Sequence, residues 1–79
     1  MTREELLQLL AAWVGDITDA APPPITPETD LVRDLGLDSL ALAELAAKAR
    51  MRFKVRIRPG ELAADLRAGA VADLLLSRL

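Results

Sequence analysis

The 79-residue chain has no cysteine, no histidine and no tyrosine, and Trp13 and Phe53 are its only aromatic residues. Each absence closes off some chemistry. Without cysteine there is no disulfide and no thiolate metal site, and without histidine the usual zinc ligand and the commonest general base are missing too, so no metal site is expected. With so few aromatics the core must be aliphatic, built from leucine, valine, isoleucine and alanine, a composition that favours packed helices over a sheet. No apolar run approaches the roughly 18 residues that a membrane span needs. The Met1-Thr2-Arg3 start lacks the apolar stretch of a signal peptide, and the expectation is a soluble, cytoplasmic chain.

What remains is enough for one small domain over residues 1–79, near the lower limit at which a core holds without staples. The formal charge of -2 is unevenly spread. Met1 to Ala43 carries eight acids and two bases, Glu44 to Arg58 one acid and six bases, and Pro59 to Leu79 three acids and two bases. The chain is acidic with a basic middle.

Thr2 followed by Glu5 has the spacing of a capping box, and Leu6, Leu10, Trp13, Val14 and Ile17 recur at helical intervals. A first helix is expected from about Thr2 to the Gly15–Thr18 region. "DAAPPPITPETD" cannot continue it, because successive prolines remove backbone donors and disfavour helix in the residues before them. It reads as a long loop, with Ile25 as an apolar anchor and with Leu31, Leu35 and Leu37 pinning a single helical turn that Gly36 ends. Helix two should open at Asp38 or Ser39, with Asp38 as N-cap, and run to about Arg52. Phe53, Val55 and Ile57 then alternate with Lys54, Arg56 and Arg58, the pattern of an extended segment with one face buried. A short helix from about Glu61 to Leu66 and a last one from about Ala70 to Leu79 complete the chain, the last burying Val71, Leu74, Leu75 and Leu79.

"LGLDSL", Leu35 to Leu40, holds the residue of most interest. Ser39 has no histidine to activate it, and Lys48, nine positions along the helix, falls on the opposite side at about 100° per residue. Asp38 is a poor base for a hydroxyl, so hydrolase chemistry is disfavoured and no catalytic residue is assigned. A serine at the first turn does sit where unpaired N–H groups and the helix dipole favour an anion, and where its hydroxyl is open to another enzyme. The plainer reading is that Asp38 and Ser39 only cap a helix. Helix two also carries two apolar stripes, Leu42, Leu45, Ala46, Ala49 and Phe53 on one side and Leu40, Ala43, Ala47 and Met51 on the other. The second is either a docking surface beside a modified serine or part of a helix buried on most of its circumference. The five alanines between Ala41 and Ala49 read most simply as helix formers, though they would also leave room beside the bundle's interior.

The run from Ile25 to Phe53, with Gly36-x-Asp38-Ser39-Leu40, then Glu44-Leu45, Phe53 and Ile57, resembles the acyl carrier protein family. Length, long first loop and helix order are similar over essentially the whole chain. The resemblance implies an all-α four-helix bundle with a short third helix. It implies that Ser39 takes 4'-phosphopantetheine from coenzyme A through a separate phosphopantetheinyl transferase. Asp38 would help bind magnesium in that transfer complex, and Leu40 would contact partners. Acyl groups would ride as thioesters on the arm, which explains why the polypeptide needs no thiol of its own.

Docking would extend over Leu40, Ala43, Glu44, Ala47 and Met51. Fatty acid carriers are typically acidic along the end of helix two, where this chain has Lys48, Arg50 and Arg52. Partners that read an acidic helix should be repelled there, while Asp34, Asp38 and Glu44 remain available near the serine. The implied role is a monomeric, free-standing carrier in polyketide or related specialised metabolism, served by an acyltransferase, a ketosynthase or a ligase. A second departure is Ala68-Gly69-Ala70-Val71, where carriers often have a Thr-Val cap. Two alternatives stand: an aminoacyl carrier loaded by a discrete adenylating enzyme, and a nucleic-acid module using residues 48–58. Against the last are the acidic overall charge, the placement of Phe53 on an apolar face and the lack of a recognition-helix pair.

Overall fold

The computed structural model describes residues 1–79, the side chain of residue 59 excepted. Four helices form, α1 over Arg3–Thr18, α2 over Ser39–Phe53, α3 over Pro59–Ala64 and α4 over Ala68–Arg78, and no strand is present among the described residues. This is the expected all-α, four-helix arrangement with a long first loop and a short third helix.

The predicted capping box starts α1. The Glu5 N–H donates to Thr2 Oγ1 at 3.1 Å, and the Thr2 N–H donates to Glu5 Oε1 at 2.9 Å. The Thr2 N–H on its carboxylate, with the Thr2 hydroxyl close by, holds the Glu5 carboxyl below its ordinary pKa. One face of α1 buries Leu6, Leu7, Leu10, Trp13 and Val14, and α1 packs against both α4 and α2. α2 contributes Leu45 and Ala49, α4 contributes Val71, Ala72 and Leu75, and α3 contributes Leu62. Trp13 meets Phe53 edge to face, ring centroids 6.1 Å apart, so both aromatic rings are used at the α1–α2 contact.

The long loop is tied down by its backbone. Leu31 and Leu37 are buried, and Asp30 Oδ1 accepts from the N–H groups of Val32 and Arg33, closing a hydrogen-bonded turn over residues 31–35. Gly36 ends that turn with φ of 72°, a conformation that other residues rarely adopt. Three further bonds join the loop to the α3–α4 connection and the first turn of α4: the Leu31 N–H donates to the Leu66 carbonyl, Ala68 to Thr29, and Gly69 to Pro27, at 2.8–2.9 Å.

Those bonds correct the expected boundaries. The sequence pattern takes the third helix to Leu66 and begins the fourth at Ala70, but residues 65–67 are extended, with a bridge between Asp30 and Arg67, so α3 stops at Ala64 and α4 starts at Ala68. Gly69 is where it is because a Cβ there would come within 2.9 Å of Pro27. Leu79 is a second correction: it is 55% exposed, because α4 ends at Arg78. Leu74 is half-buried rather than buried, and Leu76 also packs partly against the core. Phe53 closes α2 instead of opening the extended segment. Beyond it Val55 is buried and Ile57 half-buried, while Lys54, Arg56 and Arg58 are exposed, as the alternation predicts.

The same connection carries an ion-paired carboxylate. Asp65, at the C-terminus of α3, accepts from the Arg67 guanidinium at 3.1 and 2.7 Å and from the Arg67 N–H at 3.1 Å, which holds its carboxyl down at about 2. A depressed carboxylate pKa stabilises the fold above the unfolded value, about 4, and that stabilisation is lost as pH falls through about 2. Asp65→Asn is therefore expected to be less stable than the parent at pH 6, with the difference shrinking between pH 4 and pH 2. Urea titrations across that range would show it, and a difference that stayed constant would refute the assignment.

Candidate functional site

The loop delivers the chain to the start of α2 in a defined way. Leu37 is buried, Asp38 is extended, and Asp38 Oδ1 accepts the Ala41 N–H at 2.8 Å as the predicted N-cap. The Asp38 carbonyl takes the Leu42 N–H. Ser39 is then the first helical residue and is exposed. Its N–H and that of Leu40 meet no intramolecular acceptor among the described residues, so the positive end of the helix is open at the serine.

The hydroxyl inventory sets Ser39 apart. Thr2 caps α1, Thr18 donates to the Val14 carbonyl, Thr26 and Thr29 face one another at 3.2 Å, and Ser77 donates to the Leu74 carbonyl. Among the described residues only the Ser39 hydroxyl has no hydrogen-bond partner.

Two depressions flank the first turns of α2. One, of about 270 Å³, is lined by Ile17 and Thr18 of α1 and by Asp38, Leu40 and Glu44. The other, of about 220 Å³, is almost wholly apolar. It runs from Ser39 past Leu42, Ala43 and Ala46 to Ile57, Leu62 and Ala63. Ala43 and Ala46, read from sequence as helix formers, thus also leave room for this groove. Sequence reasoning missed its far wall, because Ile57, Leu62 and Ala63 come from a different part of the chain. The only local signal was the inward phase of Ile57.

Of the two stripes on α2, the one through Leu42, Leu45, Ala46, Ala49 and Phe53 faces the core. The other lies in solvent: Leu40 is 68% and Met51 78% exposed, and Ala43 and Ala47 between them are exposed as well. Glu44 is exposed beside Leu40. The bases do not act as one set. Lys48 is half-buried and leans toward Asp16 of α1 at 3.8 Å, whereas Arg50 and Arg52 are exposed. Asp34 is exposed but accepts the Asp30 N–H at 2.8 Å, within the loop's own turn.

Residues 6–75 match the family described as the phosphopantetheine attachment site, whose members carry that group covalently. The meromycolate extension acyl carrier protein of Mycobacterium leprae is 37% identical over 75 residues, 95% of this chain and 65% of that protein. The acyl carrier proteins of Thermobifida fusca and Rhodococcus erythropolis are 35% and 33% identical, over 77% and 94% of this chain and 77% and 78% of their own lengths. The chain spans a little under two thirds of the length of the Mycobacterium leprae protein. It belongs to the acyl carrier protein family.

Proposed function

We propose that this protein holds acyl intermediates as thioesters on a 4'-phosphopantetheine arm at Ser39 and presents them to biosynthetic enzymes of polyketide or related fatty-acyl metabolism. The observation that carries the reading is the Ser39 hydroxyl, unengaged and exposed at the open N-terminus of α2 and on the rim of an apolar groove. The residues fit the group. Free N–H groups of a first turn favour a phosphodiester, and the groove offers apolar shelter to the group attached beyond it.

Ser39 is substrate rather than catalyst. Bound in a transferase, its oxygen attacks the β-phosphorus of coenzyme A; the bond to the 3',5'-ADP portion breaks, that portion leaves with the electron pair, and the hydroxyl proton passes to the transferase or solvent. Asp38 spends Oδ1 on the helix cap, and Oδ2 is the oxygen available to a magnesium ion in that complex. The arm supplies the thiol that the polypeptide lacks. Leu40 and the stripe below it supply the contact surface for transferase, acyltransferase and ketosynthase. The similarity to carriers named for meromycolate extension supports an acyl load over an aminoacyl one.

Incubation of the unmodified protein with coenzyme A, magnesium and a broad-specificity phosphopantetheinyl transferase should raise its intact mass by one phosphopantetheine group. Failure of several such transferases to modify a folded sample would sink the reading.

A further inference from the structure

Five bases, Arg50, Arg52, Lys54, Arg56 and Arg58, succeed one another at alternate positions, and no acid lies between Glu44 and Glu61. All five are exposed, and none has an ion-pair partner among the described residues. Glu61 is already committed to Arg78, whose other nitrogen donates to the Arg56 carbonyl at 2.8 Å. One shallow depression is lined by Arg50, Met51, Lys54 and Arg56, and the next by Arg56, Arg58, Arg78 and the paired Glu61, so a predominantly cationic surface continues around Arg56. Met51, the most exposed of the exposed large hydrophobic residues, stands within it.

Helix energetics explain only part of this. Arg50 and Arg52 lie in the last turn of α2, where cations favour the negative end of the helix. That accounts neither for Arg56 and Arg58 beyond the helix nor for a bare methionine among them. Met51 lies eleven positions after Leu40, three helical turns or about 16 Å along the same face. The docking stripe therefore begins in an acidic setting, with Asp38 and Glu44 beside Leu40, and ends in a basic one.

We propose that the C-terminal end of α2 and the segment to Arg58 form a second docking point, for an enzyme surface lined by aspartate and glutamate around an apolar recess that takes Met51. The inference rests on the carrier reading and specifies the partner's chemistry. A desolvated apolar side chain ringed by charge pairs is how protein interfaces gain both affinity and orientation. Nucleic acid fits less well: both aromatic rings are spent on packing against each other, none is displayed for base stacking, and the chain is acidic overall. With opposite charges at its two ends, the stripe also fixes which way round a partner sits, and so where Ser39 meets its entrance.

The test uses two ketosynthases, one with a carrier entrance lined by aspartate and glutamate and one lined by lysine and arginine. Loading with phosphopantetheine is confirmed by mass first, then acyl transfer from the loaded protein to each enzyme is measured. The unmodified protein is titrated against both enzymes in parallel, so that failure to load and failure to dock are read separately. The parent should favour the acid-lined enzyme by ~10-fold in kcat/KM, less at high salt. Arg50→Glu/Lys54→Glu/Arg56→Glu should reverse the order, and Met51→Ser, once its loading is shown to be complete by mass, should weaken transfer to the acid-lined enzyme more than to the base-lined one without changing thermal stability. The proposal is overturned if parent and charge-reversed protein rank the enzymes alike. It is equally overturned if the parent shows no enzyme preference but binds duplex DNA or phosphatidylserine vesicles at micromolar concentration in a salt-dependent way.

Discussion

Ser39→Ala is expected to abolish uptake of phosphopantetheine entirely, with no detectable mass increase under conditions that convert all of the parent. The expectation comes from the hydroxyl inventory as much as from the family. Five of the six hydroxyl side chains are engaged in caps, turns or helix carbonyls, and only Ser39 is free of such bonds among the described residues. The loss should come without unfolding, because Ser39 is exposed and the cap of α2 belongs to Asp38, so stability should change by less than about 0.5 kcal/mol. Ser77→Ala should load as the parent does. Modification that persisted in Ser39→Ala would move the attachment point to another hydroxyl and remove the basis for the proposed function.

The first two helices were legible because local rules determine them. Thr2 and Glu5 close a box with each other, the prolines after Ala21 forbid helix, and Asp38 caps α2, so neighbours a few residues apart suffice. The end of the third helix and the start of the fourth were not legible, since they depend on bonds between residues 66–69 and residues 27–31, far away in sequence. The groove beside Ser39 was hidden for the same reason: its walls come from α2 on one side and from Ile57 and α3 on the other. Periodicity showed two stripes on α2 but could not say which neighbours would cover them. The packing of α1 against α2 leaves Leu40 and Met51 outside. Lys48 shows the limit of reading charge as a block, because its place on the helix turns it toward Asp16 and away from the exposed bases.

The dependence of the site on that distant pairing makes Leu31→Ala a strongly destabilising change with a consequence for the site. Leu31 is fully buried although it lies in the loop, and its N–H donates to the Leu66 carbonyl at 2.9 Å, so it joins the loop to the core and to the α3–α4 connection at once. Truncation removes buried methyl and methylene groups and leaves a cavity, at a cost of about 3 kcal/mol. A chain of this size has only roughly 4–12 kcal/mol of total stability, so much of it would go. The midpoint of thermal unfolding should fall by roughly 12–24 °C. Val32→Ala, one position along and exposed, should shift it far less. Calorimetry on the three proteins would decide: equal shifts for Leu31 and Val32 would mean that the loop is not anchored as described. Below its lowered midpoint, folded Leu31→Ala should still accept phosphopantetheine, since Ser39 and its cap are untouched. As the midpoint is approached, loading should fail together with folding, linking the buried leucine to the serine through the turn that Gly36 ends.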